Sequence, residues 1–174
     1  MSIFSHPLHF RPANNDDGNG IAALIQSIFK DYENCPFVWD EFPELKAPVD
    51  HYKKLGGELF VLEQKNEDGT ATIVGSIAVT RTHHAETAQL FKVYLAHAHR
   101  GNGTAAAMLK HAITLAHHMK CTRIDLWTDT RFKAGHRFYE KHGFRLLPGV
   151  RSLHDASDTF EYGYRLDLNA ERAA

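Results

Sequence analysis

Apolar residues recur at Ile21, Leu24, Ile25, Ile28 and Phe29, the three- and four-residue steps of one helix face, just after Asn15, Asp16 and Asp17 offer capping oxygens. A short strand, Leu8 to Pro12, precedes that helix. From Asp31 to Ala47 the periodicity breaks around Pro36 and Pro43, and aromatic and acidic residues interleave in a long irregular excursion. A short helix is expected at about Pro48 to Leu55, ended by Gly56 and Gly57. Three strands follow, Glu58 to Gln64, Ile73 to Thr82 and Ala88 to Leu95, and their short connections predict an antiparallel meander. Ala105, Met108, Leu109, Ala112, Ile113, Ala116 and Met119 mark the clearest helix in the chain, running to about Lys120. Arg123 to Asp129 alternates as a strand, Phe132 to His142 reads as a helix closed by Gly143, and Phe144 to Leu147 and Thr159 to Leu168 read as a last strand pair. Pro148 to Asp158 between them is expected to be a polar loop, and the tail from Asn169 is expected to fray.

That order, with a meander before a strand-helix-strand passage, predicts an α+β fold with helices on both faces of one sheet. The 174 residues suit one domain spanning 1–174 with a core from about 8 to 168. Apolar residues at 43% and charged residues at 24% place the chain among folded proteins rather than disordered ones. Twenty basic against 21 acidic residues leave no basic field to hold a nucleic-acid backbone, so no nucleic-acid partner is expected. Two cysteines, Cys35 and Cys121, make neither a disulfide framework nor a paired metal motif. The first ten residues lack a basic segment leading into an apolar one, and no apolar run reaches the length of a membrane span. The expectation is a cytoplasmic protein with no membrane partner.

One segment carries chemistry. His99-Arg100-Gly101-Asn102-Gly103-Thr104-Ala105 lies between a strand and the strongest helix, where free backbone N–H groups and the positive helix end meet. Such a place binds phosphate, glycines let the backbone close on the oxygens, and Arg100 adds a guanidinium. Gly101-x-Gly103-x-x-Ala106, with Asp125 about twenty residues on, also fits a dinucleotide fingerprint. That fingerprint belongs after the first strand of a doubly wound parallel sheet, whereas this one follows a meander with too little chain left to complete such a sheet.

Arg100-Gly101-Asn102-Gly103-Thr104-Ala105 resembles the R-x-x-G-x-G/A segment of the GCN5-related N-acetyltransferases, the GNAT superfamily. Phe138-Tyr139-Glu140-Lys141-His142-Gly143-Phe144 resembles that family's F-Y-E-K-x-G-F segment, and Ala88 to Leu95 its A-E-L-x-K-x-Y-V strand. The likeness covers nearly the whole chain. It implies a central, mostly antiparallel twisted sheet with a splayed strand pair, and acetyl-coenzyme A as co-substrate. It further implies a diphosphate on the glycine loop, pantetheine along the strand carrying Val93 and Leu95, and Tyr139 beside the sulfur as general acid. Where the family often has an asparagine and, three residues on, an alanine, this chain has Phe132 and Gly135, and Phe132 is expected to pack on the cofactor instead. Gln89 stands where many relatives carry a glutamate that serves as base, and glutamine takes no proton at neutral pH.

The reaction so implied needs hydrogen-bond donors on the carbonyl oxygen, for which a strand-end N–H such as that of Leu95 serves, and a proton for the departing thiolate. A phenol, with an ordinary pKa near 10, is a protonated donor at neutral pH. The amine must also lose a proton. Glu86, with His83 and His84, precedes the loop-side strand, and Glu33, Asp40, Glu41 and Asp129 lie on neighbouring segments; Glu86 is the first choice of base, beside an ordered-water relay. The excursion Asp31 to Phe42 pairs aromatic faces with carboxylates, so Tyr32, Glu33 and Trp39 are candidates to hold a cationic small-molecule or peptide amine, against the plainer reading of a loop that covers the core. His97 with His99, and His111 with His118, lack a metal-ligand pattern, and no metal is expected. No cysteine or serine stands with a base as a nucleophile, so transfer is expected to be direct. A non-catalytic module that binds coenzyme A or an acyl derivative is the alternative, motivated by Gln89. Edge strands and the final hairpin offer a route to a homodimer.

Overall fold

The computed structural model describes residues 7–168. In chain order the elements are β1 (Leu8–Pro12), α1 (Gly18–Phe29), α2 (Pro48–Lys54), β2 (Glu58–Lys65), β3 (Ala71–Arg81), β4 (Thr87–Leu95), α3 (Thr104–His118), β5 (Arg123–Asp129), α4 (Lys133–Lys141), β6 (Arg145–Ser152) and β7 (Phe160–Asp167). The tail from Asn169, expected to fray, lies outside the described residues. The strands form one sheet in the order β1-β2-β3-β4-β5-β7-β6, with every pairing antiparallel except β4 with β5.

Period-two alternation along β2 and β3 divides the core between the two faces of the sheet. Val61 and Ala78 pack under Ile21, Ile25 and Tyr52 of α1 and α2. Phe60, Ile77 and Val79 pack under Met108, Leu109, Ala112 and Ala116 of α3. The α3 residues are those that the helical spacing singles out, because burying that stripe is the main favourable term available to the helix.

Two stretches differ from the sequence reading. Part of the excursion after α1 is ordered as short 3-10 turns, Trp39–Glu41 and Pro43–Lys46. The expected loop from Pro148 is strand up to Ser152. Since β6 is the outermost strand, a proline without an N–H costs it no necessary ladder bond, and the register slips between Leu146 and Val150 to absorb Pro148 and Gly149. No helix among the described residues is long and apolar enough to cross a membrane.

Candidate functional site

The site begins with a strand pair that comes apart. β4 and β5 are hydrogen-bonded only from Thr87 opposite Arg123 to Leu90 opposite Leu126, although β4 continues to Leu95 and β5 to Asp129. A bulge in β4 marks the parting. Ser76 lies opposite Tyr94 but Ala78 lies opposite Phe91, so β4 carries one extra residue there. Lys92 takes the left-handed backbone conformation at φ 51°, and its carbonyl accepts a 2.6 Å hydrogen bond from Ser76 Oγ. The extra residue reverses the alternation: Val93 and Leu95 join the α3 face with Leu90, and Tyr94 packs on the α1 face with Phe91.

Two cavities meet in the opened wedge. The smaller, about 300 Å³, runs along Val93 and Leu95 to Arg100, Gly101 and Ala105, with Phe138 on its other wall. The larger, about 600 Å³, opens on the α1 face between the 35–42 segment and the 153–159 loop. Val93, Tyr94, Phe132, Gly135 and Tyr139 line both.

At the far end of the smaller cavity, Gly103 caps α3 at φ 88° and Gly101 sits at φ 79°. Glycine adopts this conformation without the strain a Cβ imposes, and a Cβ at either residue would meet nothing within 4 Å, so the loop faces open space. The first turn of α3 leaves N–H groups without intrahelical partners. One of them is already taken: Asn102 Oδ1 accepts from the Thr104 N–H at 3.2 Å and from Thr104 Oγ1 at 2.6 Å, so these two side chains shape the loop. Arg100 Nε donates to the Leu95 carbonyl at 2.9 Å, bracing the strand end against the loop.

Tyr139 sits where the cavities join. The residue is only 6% exposed, and burial, with no neighbouring charge or hydrogen bond contributing, pushes its phenol well above the ordinary tyrosine value. Tyr164, also in the core, differs in having a partner: its hydroxyl donates to Glu140 at 2.9 Å, and burial together with that bond pushes it up to about 12. Burial, and after it the neighbouring Tyr139, Glu161, Cys35 and Asp129, also raises Tyr94.

The larger cavity carries carboxylates and aromatic rings on the same walls. Glu41, Asp129, Asp155 and Glu161 line it, with Phe29, Phe42, Tyr94 and Trp127. Arg131 grips Asp129 through Nε at 2.9 Å and Nη2 at 2.6 Å, and Arg151 Nε donates to Glu161 at 2.7 Å while its guanidinium lies 4.1 Å from the centre of the Trp127 ring. Glu41 accepts from the Ala156 N–H at 2.7 Å, tying the excursion to the 153–159 loop. Burial tends to raise Asp155, but the Thr159 N–H at 2.8 Å and its neighbours outweigh it and hold the carboxyl below its usual range.

The structure brings together part of the set chosen from sequence. Val93, Leu95, Arg100, Gly101, Ala105, Phe132 and Tyr139 share one cavity. Tyr32, expected at the acceptor, lies in that same cavity with its ring 4.7 Å from Phe132. Glu33 is exposed and lines neither cavity. Trp39 packs its ring against Phe37 over the α1 core, the covering role that was its plainer reading. Glu86 requires correction as a base. It occupies the β3–β4 turn at φ 59°, exposed, with Thr122 bonded to its carboxylate at 3.4 Å, at the end of β4 opposite the wedge. Gln89 lies opposite Asp125 in the closed part of the strand pair and lines neither cavity. Asp155, Glu161, Tyr94 and Arg131 were not singled out from sequence; their assembly depends on strand pairing and on the bulge. Among the described residues no three His, Cys, Asp or Glu cluster to hold a metal ion, and the exposed His111 instead packs edge-on against Phe60.

Residues 25–144 match the model of the acetyltransferase (GNAT) family. No curated protein matches the sequence significantly. Among solved structures, a GNAT-family acetyltransferase from Staphylococcus aureus is similar at 22% identity, covering 93% of this chain and 99% of that one with a TM-score of 0.76. An acetyltransferase from Streptococcus agalactiae, also 22% identical, covers 92% and 98% with a TM-score of 0.75. A Salmonella typhimurium structure with its cofactor acetyl-CoA is 18% identical, covering 96% of each chain with a TM-score of 0.67. At these identities the likeness is one of fold.

Proposed function

The chain belongs to the acetyltransferase (GNAT) family, and we propose that it transfers an acetyl group from acetyl-coenzyme A directly to a primary amine. The observation that carries this reading is the meeting of two unlike cavities at Tyr139, one ending in a glycine loop and the other lined by carboxylates. The residues suit the co-substrate: the loop is open in front of Gly101 and Gly103, where a diphosphate would meet the amides of the first α3 turn, and Val93 and Leu95 offer a strand edge freed from β5 for the pantetheine. Bound there, acetyl-coenzyme A supplies an activated thioester.

Strand-edge N–H groups at Val93 to Leu95 suit the carbonyl oxygen as it gains charge. Tyr139 holds a proton at its hydroxyl, kept on the phenol by burial, and gives it to the departing sulfur, while the second proton of the attacking nitrogen, shed as the amide forms, restores the phenol. On the α1 face the carboxylates favour a cationic amine and, through water, take the proton it loses before attack; Glu161, directly across from Asp129 on β7, is the base we assign in place of Glu86.

The test is thiol release from acetyl-coenzyme A over a panel of primary amines, with matched neutral alcohols as controls. Turnover with cationic amines alone is expected. Tight binding of acetyl-coenzyme A with no turnover on any amine would instead mark a coenzyme A-binding module without catalysis.

A further inference from the structure

Arg131 lies just beyond the end of β5, and its side chain meets three segments far apart in sequence. Besides the paired bonds to Asp129, Nη1 donates to the Asn34 carbonyl at 2.6 Å and to the Ser157 carbonyl at 3.4 Å, and Nη2 donates to Thr159 Oγ1 at 3.1 Å. Asn34 stands in the excursion after α1 at φ 52°, a left-handed turn that asparagine tolerates better than most residues. Ser157 and Thr159 belong to the loop entering β7. These two segments are the facing walls of the larger cavity, which Cys35, Asp155, Ser157 and Thr159 line together.

We infer that Arg131 is the positioning residue of the acceptor side: one guanidinium fixes the Asp129 carboxylate and clasps the cavity's two walls in register. The inference rests on the larger cavity being the acceptor's. The planar fork of arginine is what makes the role feasible, since its five N–H donors in fixed directions satisfy a bidentate carboxylate and further acceptors at once. A lysine would bring the charge without the fork. Across the cavity the Glu41 bond to the Ala156 N–H joins the same two walls a second time, so loss of Arg131 loosens the closure without unfolding the protein.

Cys35 reports that closure. Its residue is 7% exposed between the walls, whereas Cys121, 5% exposed, is packed in the core on the α3 face and serves as an internal control. In Arg131→Ala, alkylation of Cys35 by iodoacetamide, read by peptide mass, is expected to accelerate about tenfold or more while Cys121 stays as protected as in the parent. The charge effect runs the other way: burial raises the Cys35 thiol, Arg131 lowers it, and removing the cation by itself slows labelling. Acceleration therefore reports opening. Arg131→Lys is expected to label at a rate nearer Arg131→Ala than the parent. With the fastest amine of the panel, both variants are expected to raise KM about tenfold with kcat within about threefold and the affinity for acetyl-coenzyme A unchanged. Unchanged Cys35 protection in both variants overturns the inference. So does parallel exposure of Cys35 and Cys121, which would make Arg131 a general stability residue. The labelling uses no acceptor, so its outcome is distinguishable from failure of the acetyl-transfer reading.

Discussion

Tyr139 combines a buried ring with a hydroxyl on which no charge or hydrogen bond acts and which, since no buried side-chain oxygen among the described residues lacks a partner, is reached from the cavities the residue lines. A buried polar group normally finds a partner, and Tyr164 a few ångströms away does so in Glu140. We therefore expect Tyr139→Phe to fold normally, to keep its affinity for acetyl-coenzyme A and to lose about ten- to a thousandfold in kcat. The sign of the pH effect follows from the raised phenol: a group whose value lies above ordinary tyrosine keeps its proton further into alkali. The parent's rate should thus show no fall at the pH of about 10 where a free phenol ionises. An unchanged rate in Tyr139→Phe, measured by thiol release, rejects Tyr139 as the acid.

At the level of elements, how much the sequence reveals depends on whether an element is decided by its own residues or by its neighbours. The α3 stripe and the glycine loop before it are readable because helical spacing and a glycine-rich turn at a helix N-terminus are local facts. The side on which Tyr94 emerges was not readable, since plain alternation puts it with Leu90 and the bulge at Lys92 moves it to the other face. Pro148 reads as a loop from sequence alone because its tolerance in a strand depends on β6 being outermost, a matter of sheet order. Glu86 stands apart from the wedge for a related reason: proximity in sequence to the loop-side strand says nothing about which end of that strand opens. The joint between β1 and α1 gives a stability prediction at this scale. Arg11 holds Asp17 at 2.8 Å and 2.9 Å, and the Asn14 N–H donates to the same carboxylate at 2.8 Å. Burial tends to raise Asp17, but these donors outweigh it and its value is depressed. A depressed carboxyl contributes stability above its unfolded value of about 3.9 and loses it as pH falls through the lower folded value. Urea unfolding of Asp17→Asn is expected to show a clear destabilisation at pH 7 that shrinks below pH about 4; a gap that stays constant contradicts the ion pair's role.

For the whole molecule, the sheet is a partition that opens where β4 parts from β5. The α3 face offers an apolar channel leading to main-chain amides, the α1 face offers carboxylates, and the parting of β4 from β5 is the passage between them. Under the proposed function an anionic co-substrate and a cationic amine would approach from opposite faces, each towards complementary charge, and Tyr139 stands where the two cavities join. The most direct measurement of this arrangement is a crystal structure of the chain with coenzyme A. The account predicts the diphosphate against the amides of residues 101–105, the pantetheine beside Val93 to Leu95, and the sulfur within about 3–4 Å of the Tyr139 hydroxyl. Coenzyme A bound outside the wedge, or with its sulfur remote from Tyr139, would contradict it.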